Sequence, residues 1–559
     1  MKRFALPTNA SAHLAPAAPI LGPAMVATAN PAATQAAVQV LRQGGSAADA
    51  AVAAQAVLCL VEPHASGFGG GTVVVWHDRA SGASGVLDGL ACAPSRVPSR
   101  LEQDMAGARI PRERALTGGW TVGVPGTVKT LAALHSKFGK KPWAPLFDAA
   151  RELASYGFAL PPYLVKTLRE MGSMQDEPLA FTVYGQGQHQ VQAAGAMVRN
   201  PDLAQTLQGL AEQGPDVFYD DSPITRTMLA HVQQDHLPGL LDLQDLRRYQ
   251  VVERPTLQIT LGPQTLLTAP PPVFGGLAVA QILGMLDASG HSQESPSRSV
   301  DQLHRVALAS RMAFADRGAY VGDPAFSDIP AQAMLHREYL QARAQVLQAE
   351  RWVPDLGAGR PDPSMEPASD GTGLTSAMTS HLVVVDAQGL SISMTTTINQ
   401  NFGSRVSAAG FYLNNALTNF ARVPQAPGQR RSVNAMEPGK RPITSFSPSI
   451  LCGLDGAPEM VVGAGGGNRI VGFVSNAILR QRGGAQDAQQ ILASPQIINW
   501  SGMTELEPAL GEFAQALRDK GHWTMVRRMD GGTQAAVRQG QMWSGGGDPR
   551  RDGCAMSAT

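Results

Sequence analysis

A long stretch without regular structure runs directly into a short, strongly hydrophobic segment, and this junction limits the possible folds. Residues 354–370 are rich in proline and glycine and poor in large apolar residues, so they can form neither a helix nor a central strand. Leu382–Val385 is a continuous apolar run, and a turn at Asp386–Gly389 separates it from the alternating segment Leu390–Thr395. Continuous apolar runs of this length are typical of strands that are buried on both faces. The pattern therefore predicts a hairpin within a sheet that is covered on both sides.

Thr379 lies where the loop meets the first strand of this hairpin. A threonine hydroxyl is a poor nucleophile unless a base lies beside it, and one known solution uses the residue's own α-amino group. That amine becomes free only if the peptide bond between Met378 and Thr379 is cut. An exposed loop that enters a rigid strand would allow the hydroxyl to attack the preceding carbonyl. On this local pattern, Thr379 is either such a nucleophile or an ordinary strand-edge threonine, which is a common residue there.

The composition argues against several classes of protein. Lys plus Arg and Asp plus Glu are equal at 45 each among 559 residues, so the charge indicates no nucleic-acid partner. There is no run of about 18 apolar residues, so we expect no membrane span. The four cysteines lack C-x-x-C spacing, which favours buried thiols over a metal site or disulfides. Pro7 and Asn9 interrupt any signal-peptide core, so we expect a cytoplasmic protein that needs no cofactor or metal.

Two adjacent helices are predicted near the N-terminus, over residues 32–43 and 47–61. A glycine pair ends the first helix, and Ser46 with Asp49 has the pattern of a capping box for the second. The second helix is apolar on almost every face, so it should be buried. Further helices are predicted over residues 128–138, 145–156, 277–286 and 300–315, and strands over residues 72–76, 257–261 and 265–267.

Short polar and glycine-rich segments lie around and after Thr379. They are Thr379–Asp386, Thr397–Gly403, Leu413–Asn415, Lys440–Pro448, Gly463–Ile470 and Gly547–Gly553. In this order they resemble the γ-glutamyltranspeptidase family of N-terminal-nucleophile hydrolases, and the resemblance extends along nearly the whole chain. It implies an α+β fold of the four-layer αββα sandwich type. It also implies self-cleavage between Met378 and Thr379 into a large fragment, residues 1–378, and a small catalytic fragment, residues 379–559, which remain together as a heterodimer.

The resemblance assigns the catalytic roles to four residues. It implies that Thr379 is the nucleophile and that the hydroxyl of Thr397 supports it. It also implies that Gly466 and Gly467 supply the backbone N–H groups of an oxyanion hole, a role for which glycine is suited because no Cβ blocks close approach. Without the resemblance, these glycines are equally compatible with a plain loop, and Thr397 with an ordinary strand threonine.

Substrate-binding residues are also implied by the resemblance. Asn399 corresponds to an asparagine that contacts the amino-acid part of the substrate, and Thr444 and Ser445 correspond to a hydroxyl pair aimed at the substrate carboxylate. The family arginine that holds this carboxylate is matched by Arg100 only after a shift of one residue, and Arg96 is the alternative.

The sequence departs from the family just after its Asn-Asn pair. γ-Glutamyltranspeptidases generally have Gln or Glu next and Asp three residues later, and these groups receive the α-ammonium of the donor, whereas this chain has Ala416 and Asn419. Replacing a carboxylate by an amide removes a charge-assisted hydrogen bond worth about 1.5–3 kcal/mol. We therefore expect a small carboxylate-bearing acyl amide without an α-ammonium, such as a glutaryl amide, as donor, and water or an amine as acceptor. A true γ-glutamyltransferase or glutathione hydrolase is the first alternative, and an uncleaved binding protein is the second.

Overall fold

The computed structural model describes residues 20–97, 111–171, 178–186, 190–291, 299–371, 378–500 and 502–558. The helices in these ranges are α1 Pro31–Arg42, α2 Ala47–Val61, α3 Arg112–Ala115, α4 Thr127–Phe138, α5 Asp148–Tyr156, α6 Pro162–Glu170, α7 Pro178–Tyr184, α8 Pro201–Gln213, α9 Pro223–Gln234, α10 Leu243–Arg248, α11 Phe274–Ala288, α12 Val300–Tyr320, α13 Arg337–Ala344, α14 Arg469–Arg482, α15 Ala488–Ala493 and α16 Ala514–Asp519.

The strands in the same ranges are β1 Ile20–Gly22, β2 Met25–Thr28, β3 Gly71–Asp78, β4 Ser84–Gly89, β5 Phe158–Ala159, β6 Gly185–Gln186, β7 Gln190–Val191, β8 Met197–Val198, β9 Val252–Arg254, β10 Leu257–Leu261, β11 Gln264–Thr268, β12 Ser380–Val385, β13 Leu390–Thr397, β14 Ser407–Ala408, β15 Phe411–Tyr412, β16 Ser449–Cys452, β17 Pro458–Gly465, β18 Ile497–Asn499, β19 Met503–Leu506, β20 Trp523–Val526, β21 Gly532–Gln539, β22 Met542–Gly547 and β23 Cys554–Ser557.

Two seven-stranded sheets form the centre of the molecule. One has the strand order β1-β22-β21-β17-β16-β11-β10, and the other has the order β23-β2-β12-β13-β3-β4-β9. The ladders within both sheets are antiparallel. The predicted hairpin is β12–β13, and it lies in the interior of the second sheet.

The side chains of β12 show how the layers are arranged. Val383 and Val385 belong to the core that includes β16, β17 and β21 of the other sheet together with helices α11, α12 and α14. Leu382 and Val384, on the opposite face, pack with helices α1, α2 and α4. Because successive strand residues point to opposite faces, this one strand contacts both cores. The molecule is thus an αββα sandwich, as the sequence predicted.

The apolar helices α2 and α11 lie inside the layers and not at the surface. Every residue of α2 is buried, and its capping box is formed, since Ser46 and Asp49 bond each other's backbone N–H groups. The predicted bounds 47–61 agree with the observed helix. No helix within the described ranges combines the length and apolar character required to cross a bilayer.

Three sequence predictions need correction. Helix α12 does not end before Asp316 but continues to Tyr320, because the Asp316 carboxylate accepts hydrogen bonds from Gln281 and Tyr339 and is stabilised while buried. Helix α11 begins at Phe274, earlier than predicted, and the Phe274 N–H at its start donates to the carbonyl of Thr444, which precedes the neighbouring strand β16. All four cysteines are free thiols, but two of them, Cys92 and Cys554, are only half-buried.

Both sheets contain strands from before and from after residue 378, and the two kinds of strand are hydrogen-bonded to each other at several places. The ladders that join the two parts of the chain are β1–β22, β11–β16, β2–β12, β3–β13 and β2–β23. In particular, β2 lies between β12 and β23. Backbone hydrogen bonds would therefore hold the two parts together if the chain were cut at this point.

The buried face of α2 should make a large contribution to stability. Replacing Leu58, which is 0% exposed, by Ala should lower the free energy of unfolding by about 2–5 kcal/mol, because it leaves a cavity that the close-packed helices cannot fill. Leu454→Ala, at a position 88% exposed, should change it by less than about 0.5 kcal/mol. Urea denaturation followed by circular dichroism would measure both, and equal effects would contradict the packing described here.

Candidate active site

Thr379 immediately precedes β12 and is fully buried between the two sheets. Its hydroxyl oxygen has no hydrogen-bond partner among the described residues. A buried hydroxyl without a partner costs about 1–3 kcal/mol, so such groups are rare in folded proteins and are often functional. The backbone carbonyl of Thr379 is held, because Nη1 of Arg551 donates to it at 3.0 Å.

The peptide bond before Thr379 is fixed by the end of β13. The Thr397 hydroxyl donates to the carbonyl oxygen of Met378 at 2.5 Å and accepts the N–H of Asn399 at 2.8 Å. The N–H of Met378 in turn donates to the carbonyl of Asn399 at 2.7 Å. The Met378 carbonyl is therefore polarised by a hydroxyl that is itself held in place. The structure brings Thr397 to the peptide bond that the sequence predicts to be cut.

The predicted glycine pair also lies beside Thr379. Gly465 ends β17 so close to the nucleophile that a Cβ there would lie 2.0 Å from the Thr379 carbonyl oxygen. Gly466 and Gly467 follow with φ values of 129° and 62°, which disfavour other residues. Both carbonyls accept hydrogen bonds from the first turn of α14. Backbone N–H groups near a helix N-terminus favour negative charge, so this loop is suited to an oxyanion.

Ser445 and Thr444 line up next to the glycine pair. The Ser445 hydroxyl donates to the carbonyl of Gly467 at 2.8 Å. Thr444 is fixed through its backbone, since its carbonyl accepts the N–H of Phe274 at 2.9 Å. Both side chains are nearly buried. The structure thus places the predicted hydroxyl pair at the site, next to the loop that ends at Gly467.

Asn399 positions a turn that carries the unusual residues of this chain. Its side-chain Nδ2 donates to the carbonyl of Asn415 at 3.1 Å and to the Thr418 hydroxyl at 3.0 Å. These bonds hold the 3₁₀ turn Ala416–Asn419 against β13. Within this turn, Oδ1 of Asn419 is buried and has no partner among the described residues. Asn419 thus has a free acceptor next to the site.

Two arginines, Arg100 and Arg96, are the candidates expected to bind the substrate carboxylate. Arg100 lies outside the described residues. The alternative, Arg96, is 64% exposed and lies 3.7 Å from Asp242 in an ion pair. Surface ion pairs of this kind contribute little, so Arg96 is not fixed towards Thr379.

Sequence reasoning missed two charged residues at the site. Arg551 donates to the Thr379 carbonyl, and its Nη2 lies 3.6 Å from the sulfur of Met378. Glu62 accepts a hydrogen bond from the Ser380 hydroxyl at 2.5 Å. The signals were present, since Arg551 belongs to the last matching segment and Glu62 is an acidic residue directly after a helix that is apolar on almost every face.

His381 lies on the same face of β12 as Thr379 but is not placed to be its base. Its Nδ1 is 2.9 Å from the Thr395 hydroxyl, and its ring packs against Gly463. Burial lowers the pKa of His381 to about 3, so the ring is neutral. Among the residues that the structure describes, no three His, Cys, Asp or Glu side chains are grouped to hold a metal ion. The placement of His381 is compatible with a nucleophile that uses its own amine.

Comparisons with known proteins agree with this geometry. The family model described as gamma-glutamyltranspeptidase matches residues 33–558. A "Glutathione hydrolase proenzyme" of Pseudomonas aeruginosa is 32% identical over 93% of this chain and 92% of its own length. An "Acylase ACY 1 proenzyme" of Pseudomonas sp. strain SE83 is 31% identical over 91% of this chain and 89% of its own.

Among solved structures, a cephalosporin acylase from Bacillus halodurans superposes with a TM-score of 0.82 and 24% identity, covering 99% of both chains, and it shows the shared fold. The sandwich, the length of the family match and the identity to the two curated relatives agree with one another. The chain therefore belongs to the gamma-glutamyltranspeptidase family and is an enzyme of the N-terminal-nucleophile amidohydrolase and acyltransferase type.

Proposed function

We propose that this enzyme cuts its own chain between Met378 and Thr379 and then transfers the acyl group of a small carboxylate-bearing amide, through an ester on Thr379, to water or an amine. One observation carries the proposal. The unpartnered, buried hydroxyl of Thr379 follows a carbonyl whose oxygen already accepts a hydrogen bond from Thr397. A nucleophile and a polarised electrophile are thus adjacent in the uncleaved chain.

Self-cleavage would proceed through an acyl shift. The Thr379 oxygen attacks the Met378 carbonyl carbon, and the hydroxyl of Thr397 stabilises the charge that develops on the oxygen. The C–N bond then breaks, the nitrogen gains the proton that the hydroxyl lost, and an ester remains. The broken C–N bond leaves a free α-amine on Thr379, and water then hydrolyses the ester to give the carboxylate of Met378 and the restored Thr379 hydroxyl. The fragments are residues 1–378 and 379–559.

In the cleaved enzyme, the Thr379 amine would serve as general base. It takes the hydroxyl proton as the oxygen attacks the substrate amide and returns it to the leaving amine. Gly466 and Gly467 would donate their N–H groups to the oxyanion, and removal of such donors typically costs on the order of 100-fold in rate or more. The fragments would stay together as a heterodimer because backbone ladders join strands of both fragments in each sheet.

The acyl donor that we propose lacks an α-ammonium. Ala416 offers no polar group, and Asn419 offers a neutral oxygen where the family generally has a carboxylate. Thr444 and Ser445 would receive the donor's carboxylate. Glutaryl-type amides fit this chemistry. The alternative donor is a γ-glutamyl amide such as glutathione, and it is supported by the identity to the glutathione hydrolase proenzyme.

Purified wild-type protein should separate into two fragments on a denaturing gel, and Thr379→Ala should remain one chain because it lacks the attacking hydroxyl. Thr379→Ser keeps a hydroxyl and is the matched control, which we expect to be cut. N-terminal sequencing of the small fragment should read Thr-Ser-His, and any other start contradicts the proposed site. On a sizing column without denaturant both wild-type fragments should elute together.

Thr397→Val should slow self-cleavage by about 100-fold or more, since it removes the hydrogen bond to the Met378 carbonyl while keeping the side-chain volume. Thr397→Ser retains the hydroxyl and should cleave within about tenfold of the wild-type rate. The rates can be read from gels at intervals after purification of freshly made precursor. Equal rates of self-cleavage for Thr397→Val and Thr397→Ser would show that the Thr397 hydroxyl does not take part in cleavage.

Asn419→Asp should raise the ratio of kcat/KM for γ-glutamyl over glutaryl anilides by roughly tenfold to a hundredfold. The new carboxylate attracts the donor ammonium and repels an acyl chain that bears only a negative charge. A charge-assisted hydrogen bond worth about 1.5–3 kcal/mol corresponds to a change of this size in the ratio. Self-cleavage should be unchanged. Asn401→Asp, which adds the same charge at an exposed position, is the control. If the wild-type enzyme prefers γ-glutamyl donors and Asn419→Asp does not change the ratio, the γ-glutamyltransferase alternative is favoured.

A further inference from the structure

Glu62 occupies a position that helix stability does not explain. It caps the C-terminal end of α2, where the helix dipole disfavours negative charge, and its side chain is only 2% exposed. An isolated buried carboxylate is strongly unfavourable unless it is hydrogen-bonded and paired. The residue must therefore be held by specific partners, and these lie at the candidate site.

Two groups that interact with Glu62 are found at the link between Thr379 and Ser380. The Ser380 hydroxyl donates to Oε2 of Glu62 at 2.5 Å, which fixes the residue directly after Thr379. The positive charge of Arg551 acts on Glu62, and Nη1 of Arg551 donates to the Thr379 carbonyl at 3.0 Å. The carboxylate thus balances the cation that lies against the nucleophile.

Two other titratable side chains near Glu62, those of His64 and Tyr163, are neutral and cannot balance the charge of Arg551 in its place. His64 stays neutral, since burial lowers its pKa to about 3, and neither ring nitrogen has a partner among the described residues. Tyr163, on α6, packs its ring 5.6 Å from the His64 ring and 5.1 Å from the Arg551 guanidinium. Burial raises the pKa of Tyr163 to about 12, so this side chain is also neutral.

Two further carboxylates lie near Arg551. Asp552 accepts the N–H of Tyr163 at 3.1 Å, and burial raises the pKa of Asp552. Asp530 forms an ion pair with Lys166 at 2.7 Å, and its backbone carbonyl accepts from Arg551. Burial raises the pKa of Glu62 to about 7, against the opposing effect of Arg551. Burial thus favours the neutral forms of both Glu62 and Asp552 by raising the pKa of each, and the charge of Arg551 opposes this effect at both carboxyl groups.

We propose that Glu62 is a positioning residue that sets the pH range in which Thr379 reacts, because its charge offsets that of Arg551 beside the nucleophile. The inference rests on the proposed function. A mature Thr379 must present a neutral amine to act as base. The Arg551 cation disfavours the ammonium form of that amine, and the Glu62 carboxylate favours it. Removing the carboxylate while keeping its shape should therefore make the amine neutral at lower pH.

The test is the pH dependence of kcat/KM for cleaved Glu62→Gln. The amide can still accept the Ser380 hydrogen bond, so we expect self-cleavage and a KM within about threefold of wild type. The acid limb of the pH profile should move down by about one pH unit, the size of shift that a nearby charge produces. Glu253→Gln, at an exposed side chain paired with Lys137, is the matched control and should not move the limb.

The outcomes separate the inference from the proposed function. An acid limb that stays in place or moves to higher pH overturns the role of Glu62, and a change in melting temperature alone would show a purely structural role. If Glu62→Gln folds but remains one chain, the Glu62→Asp variant tests whether the negative charge is required. Cleavage of Glu62→Asp supports that requirement, and its failure to cleave overturns the inference. If wild type itself is neither cut nor active, it is the proposed function that fails.

Discussion

The hydrogen bond from Thr397 to the Met378 carbonyl is the interaction on which the site depends. It joins the end of β13 to Met378, which lies two residues before β12, so the two strands of one hairpin hold the Thr379 hydroxyl and the carbonyl before it in a fixed relation. The bond can persist because both strands are interior strands of a sheet that is packed on both faces. A loop attached to an exposed edge strand would not fix the two groups in this way.

The same burial that fixes Thr379 also controls the charges around it. In a low-dielectric site an unpaired charge is costly and a paired one interacts strongly, so Arg551 and Glu62 act on Thr379 more than surface residues would. His381 and His64 illustrate the other result of burial, since both rings are kept neutral and neither serves as a charged partner. The proposed chemistry therefore uses a hydroxyl, backbone N–H groups and the amine that cleavage would release.

Much of the local structure could be predicted because it depends on short-range pattern. The capping box of α2, the apolar run of β12 and the turn between β12 and β13 are specified by neighbouring residues, and the structure agrees with each. The prediction for α12 was wrong because the helix end is decided by Asp316, whose partners Gln281 and Tyr339 are far away in the sequence. Likewise, α11 begins where a strand-like segment at Thr444 supplies a carbonyl.

By itself, the sequence determined the secondary structure around Thr379 and, through its ordered motifs, the family and the residues to examine. The tertiary structure decided which of those residues meet. It placed Thr397 on the Met378 carbonyl and Ser445 on Gly467, and it gave Asn399 the task of holding the turn with Asn419. It also brought Glu62 and Arg551, which lie nearly 500 residues apart in the chain, to the segment Thr379–Ser380. The physical reason is that hydrogen bonds and charge pairs act over a few ångströms in space, whereas sequence patterns report only on neighbours along the chain.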